Sequence, residues 1–353
     1  MNKIVAALLV LGTVAVAFAG VSFCRSKGAR ATQIPANVEF AFQKWMTEHK
    51  KSYATPAELN YRRTSFLANF LNVERVNSDP TSTWKAGLNL FSDLTHEEFV
   101  KTYTGLLPEA VKQHEEKIAN QAPLELNNLH QVPQAVDWTT VPNIVNPVKN
   151  QGQCGSCWAF SATATTESAN AIYRKMKVPD LSEQQLVSCS SSQGNQGCNG
   201  GWPDWAFKYV IAYTGQDSES SYPYKAITGV CKASLQNIAG NVATFTDVTA
   251  NSCSSMMAAV VVQPVSVAIY VDSAFQSYSS GIYSDNNCNG QSVNHAVQVV
   301  GYNNAGTAYW KVRNSWGASW GEQGYIRMAQ KVGGAAGICK ICTVVSYSVP
   351  KTQ

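Results

Sequence analysis

Nine of the ten cysteines in this chain fall between Cys154 and Cys342, and nine is an odd number. In an oxidising compartment such a set closes at most four disulfides and leaves one thiol over. The second half of the chain must therefore fold around cross-links while keeping one sulfur apart from them. The stretch Gln151-Gly-Gln-Cys-Gly-Ser-Cys-Trp-Ala-Phe160 supplies a candidate. It places Cys157 at the first turn of an expected helix, where unpaired backbone N–H groups favour negative charge. Such a setting lowers the pKa of a thiol, and the thiolate is its reactive form. An inert buried cysteine would satisfy the same parity.

The oxidising compartment is itself an expectation from the N-terminus. Lys3 precedes an uncharged apolar run from Ile4 to Phe23, with Ala17-Phe-Ala19 as a small-residue cleavage site. That is the pattern of a secretory signal peptide over residues 1–19. The run is also long enough for an uncleaved anchor. Apolar residues make up 45% of the chain and aromatics 10%, which suits a packed globular protein. The net charge is only +4 and no basic block stands out, so no nucleic-acid partner is expected.

The length leaves room for more than one domain. Residues 35–103 are charged and helical in pattern, with Phe66, Phe70, Val73 and Asn77 at helical spacing. Residues 104–130 turn polar and read as an exposed linker, so a boundary is expected near residue 130. Beyond it, Ala159 to Met176 reads as a long helix, and Ser182-Glu-Gln-Gln185 matches a capping box opening another. Residues 264–271, 296–300, 309–313 and 343–349 read as strands. A helical lobe followed by a β lobe is an α+β arrangement with a cleft between the lobes.

Of five histidines, only His295 lies beyond the expected boundary. It stands at the start of an apparent strand, a place where a lone histidine is commonly structural. Beside a sulfur nucleophile it gains a chemical use. Imidazole takes the thiol proton, the sulfur attacks a carbonyl carbon, and imidazolium protonates the leaving amine. A side-chain amide can orient the ring. Asn314, in Arg313-Asn-Ser-Trp316, is a candidate for that role or an ordinary turn asparagine.

Together these segments resemble the papain-like cysteine proteases of the cathepsin L type, whose nucleophile signature reads Cys-Gly-Ser-Cys-Trp. The resemblance rests on the decapeptide above, Asn294-His-Ala296, Asn314-Ser-Trp-Gly317, Trp320-Gly-Glu-Gln-Gly-Tyr325 and Cys198-Asn-Gly-Gly201. In the first part, Glu58, Arg62, Phe66, Asn69, Val73 and Asn77 repeat the spacing of the family's propeptide helix motif, with Val73 where isoleucine is usual. Gly87-Leu-Asn-Leu-Phe-Ser-Asp93 matches its second propeptide motif.

The resemblance implies a papain-like two-lobe fold with a helical left lobe, a β-barrel-like right lobe and the active-site cleft between them. A helical propeptide precedes it. The implied domains are a signal peptide at 1–19, an inhibitory propeptide at 20–130 and a peptidase domain at 131–353, with the maturation cut just before Val132. Cys157 is then the nucleophile and His295 the general base and acid. Asn314 orients His295, Gln151 donates to the oxyanion, and Trp316 shields the His–Asn hydrogen bond. Gly200 and Gly201 pair with an extended substrate. Trp202, Pro203, Ala268, Val293, Ala296 and Val344 line the pocket for the second residue before the cut, where Val344 favours Leu, Phe or Val over Arg. Asn294, often an aspartate in the family, is expected to shift the pH profile. The implied disulfides are Cys154–Cys198, Cys189–Cys231 and Cys288–Cys339. Cys253 and Cys342 have no counterpart in the common pattern and are expected to pair by parity.

The expected activity is that of a cysteine endopeptidase made as a zymogen and acting through a thioester acyl-enzyme. A monomer is expected, secreted or held in a lysosome-like acidic compartment, with peptide and protein substrates and its own propeptide as partners. No cofactor and no metal is expected: Cys154-x2-Cys157 and Cys339-x2-Cys342 are too far apart for a zinc ribbon. A transpeptidase or ligase would share the acyl-enzyme. An inhibitor or binding protein would carry a broken Cys–His pair.

Overall fold

The computed structural model describes residues 34–119 and 132–352. The expected signal peptide and the residues just before the expected cut at Val132 lie outside them. Helices α1 (Ala36–Glu48) and α2 (Pro56–Ser78) enclose a small core of Val38, Phe42, Trp45 and Phe66. Helix α2 starts where Pro56 sets the first turn and the Thr55 side chain accepts from the Glu58 N–H. Strand β1 (Trp84–Ala86) follows, then α3 (His96–Tyr103), opened by a full capping box between Thr95 and Glu98. Arg62 of α2 reaches Glu98 at 2.9 Å, and Asp93 accepts from Lys51 at 3.0 Å and from the Tyr53 hydroxyl at 2.9 Å.

Residues 104–119 correct the expectation of an exposed linker. Residues 104–107 run extended through the interior, and α4 (Pro108–Ala119) packs on the second half of the chain. Leu106, Leu107, Ala110 and Val111 are all buried. Leu106 and Leu107 precede α4 and Ala110 and Val111 lie in its first turn, in a segment whose other residues are mostly charged or polar. Two ion pairs tie α4 down, Lys117 to Asp247 and Glu115 to Lys340.

The second half begins with β2 (Ala135–Asp137), followed by α5 (Cys157–Arg174), α6 (Glu183–Cys189) and α7 (Pro203–Tyr213). Helix α5 is buried continuously from Cys157 to Ala171. Its Ala, Ser and Thr residues let neighbours approach on every side. At α6, Ser182 accepts from the Gln185 N–H, but the reciprocal arm of the expected capping box is missing. Gln185 instead accepts from the Asp217 N–H at 2.6 Å and donates to the Tyr209 hydroxyl.

A short ladder of β3 (Gln216–Asp217) and β4 (Ile238–Gly240) leads to β5 (Thr244–Asp247) and α8 (Cys253–Val262). Strands β6 (Val265–Ile269), β7 (Tyr278–Tyr283), β8 (His295–Asn303), β9 (Tyr309–Arg313), β10 (Tyr325–Ala329) and β11 (Val344–Val349) complete the second lobe. The sheet order is β1-β7-β10-β9-β8-β6-β11-β5, with β2 also on β8. All pairs are antiparallel except β10 with β7. The first half thus contributes an edge strand, β1, to the sheet of the second. Strands β5, β7 and β10 escaped the sequence analysis. Tyr278-Ser-Ser-Gly-Ile-Tyr283 is too polar to read as a buried strand, and its interior residues are only partly buried. Four disulfides close the second half, Cys154–Cys198, Cys189–Cys231, Cys253–Cys342 and Cys288–Cys339, leaving Cys157 free.

Candidate active site

Three element ends meet in the cleft. Cys157 is the first residue of α5, His295 the first of β8, and Asn314 the residue after β9. Residue 269 at the end of β6 pairs with His295, and Ala268 with Ala296. The backbone around the Cys157 sulfur, at Ala296, Trp158, Cys157 and Gly105, favours the thiolate, against the larger effect of burial. One ring nitrogen of His295, Nε2, lies 2.9 Å from Asn314 Oδ1. That oxygen also accepts from the Ser315 N–H at 2.8 Å. A backbone N–H can only donate, so the amide orientation is set without reference to the ring, and Nε2 carries the proton. Nδ1 has no partner. The Trp316 ring stacks on the imidazole at 4.7 Å.

Gln151 lies in the loop before α5 with its amide fixed from behind. Its Oε1 accepts from the Ser315 hydroxyl at 2.7 Å, so its Nε2 must point the other way, where it donates to the carbonyls of Cys154 at 2.9 Å and Tyr103 at 3.1 Å. Ser315 had no role in the sequence analysis, and its place inside Asn314-Ser-Trp-Gly317 was the available signal. Asn294 turns its side chain to the Val271 backbone, accepting from the N–H at 2.8 Å and donating to the carbonyl at 3.1 Å. This holds the end of β6 against the start of β8.

The cleft is filled by the first half of the chain. The Tyr103 carbonyl accepts from Gln151 Nε2 and from the Trp316 indole N–H at 3.0 Å. Gly105 and Leu106 donate to the Asn294 carbonyl, each at 3.2 Å. Gly201 N–H donates to the Gly105 carbonyl at 2.9 Å, and Leu106 and Gly201 form a parallel bridge. Only glycine fits here: a Cβ on Gly105 would lie 2.1 Å from the Gly155 carbonyl oxygen, and one on Gly200 would lie 3.0 Å from Leu107. Leu106, Leu107, Ala110 and Val111 join Trp202, Ala268, Val293, Ala296 and Val344 in one buried cluster. Pro203 is buried at the first turn of α7. Under this cover Cys157 and His295 are both 0% exposed. Burial pushes the Cys157 thiol up to about 12 and the His295 imidazole down to about 4. The covered pair is therefore a thiol beside a neutral ring.

The model of papain family cysteine proteases matches residues 132–349, and that of the cathepsin propeptide inhibitor domain matches residues 42–99. Procathepsin L of Mus musculus is 38% identical over 317 residues, covering 87% of this chain and 91% of the mouse protein. Fruit bromelain of Ananas comosus is 39% identical over 303 residues, covering 85% of this chain and 83% of that protein. Among solved structures, a recombinant stem bromelain precursor matches with a TM-score of 0.77 at 36% identity, covering 90% of this chain and 100% of that one. Digestive procathepsin L 3 of the Tenebrio molitor larval midgut also matches at 0.77, with 34% identity and 89% and 100% coverage. The chain therefore belongs to the papain family of cysteine proteases. It is a protease zymogen that carries the family's inhibitory propeptide.

Proposed function

We propose that Cys157, His295, Asn314 and Gln151 form the catalytic group of this protease, and that residues 103–107 hold it latent by crossing it backwards. The observation that carries this is the Tyr103 carbonyl. It is held by Gln151 Nε2 beside the Cys157 helix start, where a substrate carbonyl would gain an oxyanion donor, yet the chain around it runs the wrong way. Residues before a scissile bond would pair with Gly201 and fill the Trp202–Val344 pocket. Here those places are taken by residues that follow Tyr103. No peptide carbonyl in that direction stands in line for attack.

Once residues 20–130 leave, water returns to the cleft and the burial that suppresses ionisation is relieved. The thiol proton passes to His295 Nδ1, and the thiolate, at the start of α5, adds to the substrate carbonyl. Gln151 Nε2 and the Cys157 N–H receive the oxyanion. The imidazolium protonates the leaving amine, and water then hydrolyses the thioester. The pocket of Trp202, Pro203, Ala268, Val293, Ala296 and Val344 is apolar, which favours Leu, Phe or Val over Arg at the second residue before the cut. We place the mature enzyme, residues 131–353, as a monomeric endopeptidase in the secretory pathway, released into an acidic vesicle or outside the cell, with no nucleic-acid partner. Peptides differing only in Phe or Arg at the second position test the pocket. Faster cleavage of the Arg peptide would refute it.

A further inference from the structure

Between α4 and the protease lies a cavity of about 250 Å³ that shares Trp202 with the pocket at Val344 and that the catalytic group does not use. Trp202, Trp205 and Phe245 wall it, and Asp204, Asp247 and Lys208 supply its charge from the protease side. Asp204 is spoken for. It is buried, and it accepts from the Ser346 hydroxyl at 2.7 Å and from the Trp202 indole at 3.1 Å. Asp247, on the edge strand β5, has a different partner: the Lys117 ammonium of the propeptide, seated in the cavity mouth from α4. The His114 ring of the same helix packs tilted against Trp202 at 5.6 Å and faces the Thr343 carbonyl next to Val344. In the zymogen this surface is thus faced by a cation on a flexible stem, and its aromatic wall by a ring. Removal of the propeptide leaves Asp247 without that cation.

We propose that this cavity is a substrate subsite for a lysine or arginine side chain upstream of the cut, with Asp247 as its anion and Trp202 and Phe245 as walls for the alkyl stem. The helix from Leu107 to Lys117 rises about 1.5 Å per residue, so Lys117 lies roughly 15 Å beyond Leu107. An extended peptide covers that distance in about four or five residues. The reach of the basic side chain shortens the count, which places it about four to six residues before the scissile bond. The two neighbouring carboxylates support the charge preference. Burial, and then the charge of Asp247, push Asp204 up to about 6, so the two carboxylates lie close enough to feel each other.

The subsite rests on the protease reading above, and its test separates the two. The acid-activated enzyme is given peptides with Leu at the second position before the cut and Gln at positions three to six, and matched peptides with one Lys moved through those positions. The readout is the kcat/KM ratio of each Lys peptide to the all-Gln peptide. At low ionic strength the ratio should reach about three to five at one of positions four to six, and fall with added salt. In Asp247→Asn it should return to about one, and in Asp247→Lys drop below one. A wild-type ratio near one throughout, or a raised ratio that survives Asp247→Asn, overturns the subsite alone. Failure to cut the all-Gln peptide would remove the protease reading and the subsite with it.

Discussion

At the residue scale, the site depends on amides whose two ends do different work. Gln151→Ala should lower kcat by about 10²- to 10³-fold, because it removes a donor aimed at the developing oxyanion. KM should change little, and steady-state kinetics on one fluorogenic peptide separates the two. A Gln151→Ala enzyme that lost only KM would show that the amide binds substrate and does not stabilise the oxyanion. Asn314→Ala removes a hydrogen bond to a ring that becomes charged, about 1.5–3 kcal/mol, so kcat/KM should fall roughly ten- to a hundred-fold. It should also move the limb of the pH–rate profile set by His295 to lower pH. An unmoved limb would leave Asn314 with a packing role. Cys157 stood out at an expected helix start and His295 because no other histidine follows residue 130, whereas Gln151 came from the resemblance alone. Ser315 and the backbone bonds of Asn294 were not, since each depends on which strand ends the fold brings together.

At the scale of elements, helix α2 was legible from its periodic apolar residues, whereas α4 was masked by its own polar face. The propeptide helices also carry a pH dependence. Burial alone would raise the Glu98 carboxyl, but the Thr95 N–H and the Arg62 charge outweigh it, so its pKa lies below the usual glutamate value. A lowered carboxyl pKa adds stability above the ordinary value, and that contribution is lost as pH falls through the lowered one. The propeptide should therefore loosen in acid. Glu98→Gln lacks this contribution at every pH, so processing should begin at higher pH than in the wild type. The onset is readable by gel against pH, and an onset unchanged or shifted downward contradicts the assignment. Lys149, two residues before Gln151, serves the loop differently. It reaches Glu167 and Glu183, both buried, at 2.9 Å each, and Asp180 at 2.7 Å. Lys149→Met would leave the buried Glu167 and Glu183 side chains without their cation and should cost about 3–5 kcal/mol in urea unfolding. Glu183, which burial pushes up to about 8 against the pull of Lys149, should tolerate Gln far better.

At the scale of the whole molecule, cysteine parity bounded the cross-links, and the resemblance supplied most partners before any coordinates. The fourth bridge, Cys253–Cys342, joins α8 to the start of β11 and encloses the loop of Cys288–Cys339. Replacing Cys253 and Cys342 together by serine should cost about 2–4 kcal/mol and leave kcat near the wild-type value. A large loss of kcat at unchanged stability would mean that the bridge shapes the cleft. What sequence alone did not show is the reach of the first half into the second: β1 extends the protease sheet, and Gly105 crosses Gly155, two residues before Cys157, closely enough to exclude any side chain. Latency by that crossing is the central claim. The direct test is mass-spectrometric labelling of Cys157 by a thiol-alkylating epoxide, before and after acid activation. The uncut zymogen should stay unlabelled, and the processed enzyme should take one equivalent on Cys157 and lose activity in proportion. Equal labelling of the uncut chain, or full activity after one equivalent, would contradict it.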